Sequence, residues 1–66
     1  MHDPVTLSLH VHCETAAAVE VSADGLIAHA AWVPKSMIEI AEPIHRGRRH
    51  EVTLPRGLAE ARRLLI

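Results

Sequence analysis

The feature that most constrains the fold is a strict alternation of apolar and polar side chains near the N-terminus. The apolar members are Val5, Leu7, Leu9, Val11 and Cys13, and polar residues occupy the positions between them. Because successive side chains of a β-strand point to opposite faces, this period of two predicts a half-buried strand. We therefore expect residues 5–13 to form a strand whose apolar members all face the core.

Four shorter segments also carry strand signals, and turn residues separate them. They are residues 16–22, 26–33, 37–41 and 51–54. The pair Asp24-Gly25 is typical of a tight hairpin turn, because glycine adopts a positive φ at little cost. Pro34 ends the third segment, because proline has no N–H to donate to a strand ladder. We predict five strands, of which the third is apolar on both faces and lies centrally in the sheet.

The C-terminal third predicts a loop followed by a helix. Residues 43–50 combine a proline, a glycine and three arginines, which favours a flexible basic loop. Residues 55–65 begin with a proline suited to a first helical turn, and their apolar residues recur at helical spacing. We predict one domain over residues 1–66 that is mainly β. It is a small β-barrel or a strongly bent antiparallel sheet of about five strands, with a short C-terminal α-helix.

Chain length limits the core and bears on assembly. The chain has 66 residues and one cysteine, Cys13, so no internal disulfide can reinforce the fold. A core of this size supplies only ~3–5 kcal/mol of net stability, so we expect a homodimer or a larger assembly. The first residues lack the basic and apolar regions of a signal peptide, and no apolar run approaches the ~20 residues of a membrane span. We expect a cytoplasmic protein without a membrane partner.

Charge is distributed unevenly along the chain. Residues 1–42 carry one basic and six acidic residues, a net charge of −5, whereas residues 43–66 carry six basic and two acidic residues, a net charge of +4. Such a molecule either joins its two halves to those of another copy or presents its basic end to an anionic partner. With one Trp, no Phe and no Tyr, the chain is poorly suited to binding single-stranded nucleic acid by aromatic stacking.

The candidate contact residues are the arginines of the C-terminal third and two residues of the Trp-Val-Pro-Lys stretch. They are Arg46, Arg48, Arg49, Lys35, Trp32, Arg56, Arg62 and Arg63. Clustered arginines give salt-dependent affinity for phosphates regardless of base sequence, and tryptophan is enriched in interface hot spots. Two other interpretations stay open. The loop arginines pair with the acidic N-terminal part, or Trp32 packs into the core at a strand end.

Metal binding and catalysis have weaker signals. His10 and His12 share one strand face, which brings two imidazoles toward one ion, and zinc accepts such ligands. A regular strand turns Cys13 to the other face, and no C-x-x-C pair is present, so we predict solvated histidines, no metal and no cofactor. The sequence also lacks a glycine-rich phosphate loop, a nucleophile elbow and a paired-carboxylate motif. We predict that the protein is not an enzyme.

Three stretches together resemble one protein family. The first is Glu14-Thr15 followed by Ala18-Val19-Glu20-Val21. Residues 32–39 read Trp-Val-Pro-Lys-Ser-Met-Ile-Glu, and residues 52–59 read Val-Thr-Leu-Pro-Arg-Gly-Leu-Ala. The pattern resembles small, mostly uncharacterised phage and prophage proteins that carry Trp-Leu-Pro-Lys-Ser-Gln-Ile-Glu and Val-Thr-Leu-Pro-Glu-Trp-Leu-Ala. The resemblance implies a phage or mobile-element origin, often near replication and recombination functions, and it implies no catalytic residues.

This chain departs from that pattern in three places. Met37 stands where Gln is usual, Arg56-Gly57 stands where Glu-Trp is usual, and Arg63 stands where Gly is usual. An acidic and an aromatic group are therefore absent at positions 56 and 57. No role of that tryptophan can be carried over to this chain.

These observations favour a phage or prophage accessory protein that works by binding. We expect it to act on nucleic acid, or on a nucleic-acid-processing complex of the host or phage, through the basic loop and the C-terminal helix. One alternative is an anti-defence inhibitor of the anti-CRISPR type, which would dock on a host effector complex. Another is a structural subunit that self-assembles by joining its acidic and basic halves.

Overall fold

Five antiparallel strands and one short helix make up the fold in a computed structural model, which describes residues 3–41 and 43–65. The strands are β1 (Pro4–Glu14), β2 (Ala18–Ser22), β3 (Ala31–Pro34), β4 (Glu39–Ile40) and β5 (Arg49–Pro55), and the helix is α1 (Arg56–Ala61). The sheet order is β3-β2-β1-β5-β4. The predicted mainly β fold with a C-terminal helix is confirmed, as an open sheet rather than a closed barrel. The ends of the predicted domain, residues 1, 2 and 66, lie outside the described residues.

The central strand is β1, not the third strand as predicted. Leu9 and Val11 are fully buried, and Val5 and Leu7 pack against the same core. From Pro4 to His10, β1 pairs with β5 in unbroken register, and its second half pairs with β2. The predicted inward face is therefore confirmed as far as Val11.

Beyond Val11 the prediction fails because β1 contains a β-bulge. The register shifts between Val11 and Cys13, so Cys13 lies opposite Glu20 and Glu14 lies opposite Val19. Residues directly opposite each other on antiparallel strands share a face. The extra residue of the bulge therefore moves Cys13 off the face of the buried Val19. Sequence alternation alone does not reveal this shift.

The predicted third strand over residues 26–33 is wrong in its first half. Asp24 Oδ1 accepts the N–H of Leu26 at 2.9 Å, and a 3-10 turn follows at Ile27–His29. This local winding replaces the predicted tight hairpin with a longer connection, although Gly25 does adopt a positive φ of 82°. β3 then covers only Ala31–Pro34 and lies at the edge of the sheet rather than at its centre.

The fourth and fifth predicted strands change length in opposite directions. A 3-10 turn occupies Lys35–Met37, which leaves only Glu39–Ile40 to form β4 against the middle of β5. β5 begins earlier than predicted. Arg49 and His50, which fall within the predicted basic loop of residues 43–50, pair with β1 instead. Within this longer strand His50 shares a face with buried Val52 and Leu54, whereas Arg49 lies on the opposite, polar face.

The helix predicted over residues 55–65 is shorter, and its end has a clear cause. Leu64 N–H bonds to Ala59 O at 2.8 Å and Arg63 N–H bonds to Glu60 O at 3.1 Å, the pattern of a Schellman C-cap. Arg63 holds the left-handed conformation, φ 57°, that this cap requires and that glycine adopts most easily. The chain therefore turns away from the helix axis and buries Leu64 in the core.

The core lies on one face of the sheet, beneath α1. Its fully buried members are Leu9, Val11, Val19, Val21, Val33, Val52, Leu54, Ala59 and Leu64. The opposite face carries mostly polar side chains, including the hydrogen-bonded hydroxyls of Thr6 and Thr53. Among the described residues, no helix has the length and apolar character needed to cross a membrane.

Candidate binding surfaces

The turn before β5 holds two of the predicted contact residues. Arg46 and Arg48 are exposed on either side of Gly47, whose φ is 81°. Gly47 N–H donates to Val11 O at 2.8 Å, and Val11 N–H donates to Arg48 O at 2.9 Å. The turn is therefore tied to the central strand by backbone hydrogen bonds, while its two guanidinium groups face solvent.

Arg49 is committed to the fold. Its Nη1 donates to Ser8 O and its Nη2 donates to Ala23 O, both at 2.8 Å. One guanidinium thus joins β1 to the segment that follows β2. The charge is not neutralised by these carbonyl oxygens, but two of the five N–H donors of the group are directed into the molecule.

Trp32 and Arg62 meet at the β3 edge of the sheet. Trp32 lies opposite Glu20 in the register and is 43% exposed, while its neighbour Val33 is fully buried. Arg62 Nε donates to Trp32 O at 3.2 Å. The structure therefore places the tryptophan side chain at the surface rather than in the core, and it places an arginine against its backbone.

The hydrogen bond from Arg62 to Trp32 helps to prevent edge strand β3 from pairing with a strand of another molecule. The carbonyl of Trp32 is occupied by Arg62, and Pro34 offers no N–H. Edge strands with free N–H and C=O groups are templates for pairing with another chain, and proteins block them with proline and charged side chains. β3 carries both devices, and the opposite edge strand β4 has only two residues.

Lys35 is the one predicted contact residue held by a carboxylate in the described part of the chain. Its Nζ bonds to Glu14 Oε2 at 2.5 Å, and both side chains are about three-quarters buried. The other ion pair there joins His29 to Asp24, and hydrogen bonding from His29 holds the pKa of Asp24 below its usual value. No arginine in residues 3–41 and 43–65 pairs with a described carboxylate.

One of the two strand histidines, His12, is hydrogen bonded to a buried serine. The rings of His10 and His12 are 4.6 Å apart, and His12 Nε2 lies 2.7 Å from Ser22 Oγ. Ser22 is fully buried and also accepts the N–H of Gly25 at 3.0 Å. In the part of the chain that the structure describes, no three His, Cys, Asp or Glu side chains group to hold a metal ion. The interpretation of both histidines as solvated side chains misses Ser22, because an alternating strand gives no sign that an outward serine is covered.

A cleft of about 400 Å³ separates the segment after β2 from the end of α1. Its lining includes Asp24 and His29 on one side and Arg62 and Arg63 on the other, with alanines between them. Sequence reasoning does not find this cleft, because the two walls are far apart in the chain and meet only through the sheet. A second groove of about 290 Å³ lies beside Met37 and Pro55.

The predicted contact residues do not form one continuous basic face. Arg48 precedes β5 and Arg56 follows it, so a strand of seven residues lies between them. At a rise of ~3.3 Å per residue this strand is about 23 Å long, so the two positions lie beyond its opposite ends. The arginines are thus divided among the turn, the polar face of the sheet, the start of α1 and its end. Comparison with known protein families, curated proteins and solved structures finds no match for this chain.

Proposed function

We propose that this chain is a non-enzymatic phage or prophage accessory protein of the host cytoplasm that binds nucleic acid or a nucleic-acid-processing complex. The turn that carries Arg46 and Arg48 is the principal contact. The observation that carries this proposal is the absence of any arginine–carboxylate pair among the described residues. With respect to the described carboxylates, these arginines therefore keep their positive charge available to a partner.

The geometry of the turn suits phosphate binding. A guanidinium group binds phosphate oxygens through two parallel hydrogen bonds and stays charged at all physiological pH values. Because Gly47 and Arg48 are bonded to Val11, the backbone of the turn loses little freedom on binding. Arg56, at the far end of β5, provides an outlying contact for an extended partner such as a duplex.

Salt-dependent binding of a labelled duplex by the purified chain tests this proposal. Removing an arginine that binds a phosphate lowers the slope of log K against log salt by roughly one, so Arg46→Ala/Arg48→Ala should lower the slope by about two. The matched control is Ala16→Glu/Ala17→Glu, which changes the net charge by the same amount at an exposed turn. An equal decrease in both variants, or no salt-dependent binding at all, would contradict the proposal.

A docking role on a host protein complex, as an anti-CRISPR-type inhibitor would have, is the second candidate. Leu26, Ile27, Trp32 and Met37 are large apolar side chains left exposed in the described chain. Exposed tryptophan is a frequent interface anchor. Stoichiometric capture of one host complex that is abolished by Trp32→Ala but retained with Arg46→Ala/Arg48→Ala would favour this candidate over nucleic-acid contact.

We propose that the chain forms a dimer or a larger assembly, because its core is small and these apolar side chains are exposed. Pairing through the β3 edge is disfavoured by the Arg62 contact and by Pro34. The apolar surface of the Leu26–Ile27 segment is the better candidate for the contact. Light scattering that gives the mass of one chain at every concentration would refute assembly.

A further inference from the structure

We propose that the cleft between residues 23–30 and the end of α1 binds a small phosphate monoester of nucleotide size. Arg62 and Arg63 hold its phosphate group. This site is distinct from the turn of Arg46 and Arg48. The proposal of a ligand here does not depend on the proposed contact with nucleic acid. Four observations support it: the size of the cleft, the orientation of Arg62, the backbone of Arg63 and the chemistry of the opposite wall.

The cleft has the dimensions of a ligand site. Its volume of about 400 Å³ falls in the range of roughly 300–1,000 Å³ that small-molecule sites occupy. Ala23, Ala28 and Ala30 contribute small apolar surfaces to the lining, so the walls are not filled by their own side chains. A space of this size admits one nucleotide but not a folded partner.

Arg62 is fixed in a way that favours binding by its remaining nitrogens. Its Nε is hydrogen bonded to the carbonyl oxygen of Trp32, which anchors the guanidinium at one corner. The two terminal nitrogens belong to the same rigid plane, and the residue lines the cleft. An anchored guanidinium loses less rotational freedom when it binds a phosphate than a free one does.

Arg63 occupies a backbone conformation that disfavours every residue with a side chain. Its φ of 57° is left-handed, and glycine is the usual residue at this position of a helix C-cap. Residues held in such conformations concentrate at functional sites. Arg63 and Arg62 both line the cleft. We therefore attribute the presence of arginine at this strained position to its contact with a ligand.

The opposite wall indicates an ester rather than free phosphate. Asp24 accepts hydrogen bonds from Leu26 N–H and from His29, and its carboxylate remains partly exposed. A carboxylate repels a bare anion but accepts hydrogen bonds from hydroxyl or amino groups. A ligand that carries a phosphate at one end and hydroxyl or amino donors at the other is complementary to both walls. A nucleoside monophosphate has both features.

Titration of the full-length ¹⁵N-labelled chain with adenosine 5′-monophosphate, followed by NMR, tests the proposal. We expect saturable shifts of the amides in residues 23–30 and 62–64, with a Kd of roughly 0.1–1 mM. Adenosine and inorganic phosphate should each bind at least about tenfold more weakly, because each lacks one half of the complementary groups. Arg63→Gly should weaken binding of the monophosphate by about tenfold.

Arg63→Gly is informative because it removes the guanidinium while placing the preferred residue at the left-handed position, so a failure to fold cannot explain weaker binding. Arg46→Ala removes the same charge outside the cleft and is the matched control, which should bind like the parent chain. The proposal is overturned by any of three results: no saturable shift by about 10 mM monophosphate, equal binding of adenosine, or unchanged affinity of Arg63→Gly. Shifts confined to the Arg46–Arg48 turn would overturn it as well.

Discussion

The centre of the sheet and the segment of residues 23–30 are built on different principles. In the centre, β1 is held by ladders on both sides, and Leu9 and Val11 are fully buried. In the segment, Asp24 and Ser22 bond to nearby backbone N–H groups, and Leu26 and Ile27 lie at the surface. The difference shows that the stability of this small domain is concentrated in the sheet. One wall of the cleft and the exposed side chains of Leu26 and Ile27 lie where local hydrogen bonds replace burial.

The largest effect should come from the sheet centre. Leu9→Ala removes a fully buried side chain from β1 and should destabilise the fold by about 2–5 kcal/mol, which is most of the stability expected for a domain of this size. Ile27→Ala is the control, measured at protein concentrations at which light scattering gives the mass of one chain. Under those conditions its side chain, which is 60% exposed, should change stability by less than ~0.5 kcal/mol. Urea denaturation measures both. Similar decreases in the free energy of unfolding for the two variants would show that stability is not concentrated in the sheet.

A smaller effect is expected where the two regions are joined. Arg49→Met removes the two hydrogen bonds from the guanidinium to Ser8 O and Ala23 O and should destabilise the chain by about 1–2 kcal/mol. Arg48→Met removes an exposed guanidinium from the neighbouring turn and should be nearly neutral. If both variants unfold at the parent's urea midpoint, Arg49 does not couple the sheet to the segment.

Relief of strain at the end of α1 should stabilise the protein. Arg63→Gly replaces a residue at φ 57° with the one that adopts this angle most easily, and it should add about 0.5–1 kcal/mol. Arg63→Ala removes the same guanidinium but keeps the strained backbone, so it should give no such gain. A gain in thermal stability for the alanine variant would show that charge, not backbone conformation, is responsible.

The smallest effect concerns acid. The pKa of Asp24 lies below its usual value of 3.8 because His29 and the N–H of Leu26 bond to the carboxylate. A lowered folded-state pKa contributes stability that is complete above the unfolded value and is lost as the pH falls through the folded value. The parent chain should therefore lose slightly more stability than Asp24→Asn below pH 3.8. If the urea midpoints of the two proteins change with pH in the same way, the ion pair of Asp24 and His29 does not stabilise the segment.

How far the sequence predicts the fold differs between the same two regions. The alternation from Val5 to Val11 identifies a strand because burial in the sheet depends on a repeating pattern of side chains. The bulge at the end of β1 and the 3-10 turn at Ile27–His29 depend on single hydrogen bonds and on register with a partner strand. Leu26 and Ile27 lie at the surface, yet their composition is that of a buried strand. Composition alone therefore predicts the wrong location for them.

The candidate sites show the same limit. Charge clustering indicates six arginines as contact residues, but it cannot separate Arg49 and Arg62, whose nitrogens bond to distant carbonyl oxygens, from Arg46 and Arg48, which are exposed in a turn. Those carbonyls belong to residues far away in the chain. The cleft beside Arg63 depends on the same long-range arrangement, so it is visible only in the folded molecule.

The pairing of β1 with β5 also bears on how the protein is made. Pro4 lies opposite Pro55, so the longest ladder of the sheet joins two strands that are far apart in the sequence. On the ribosome, β1 is synthesised before β5 and has no partner on that side until translation has passed residue 55. During that interval the apolar face of β1 is exposed, and we expect nascent-chain chaperones to prevent its association with other chains.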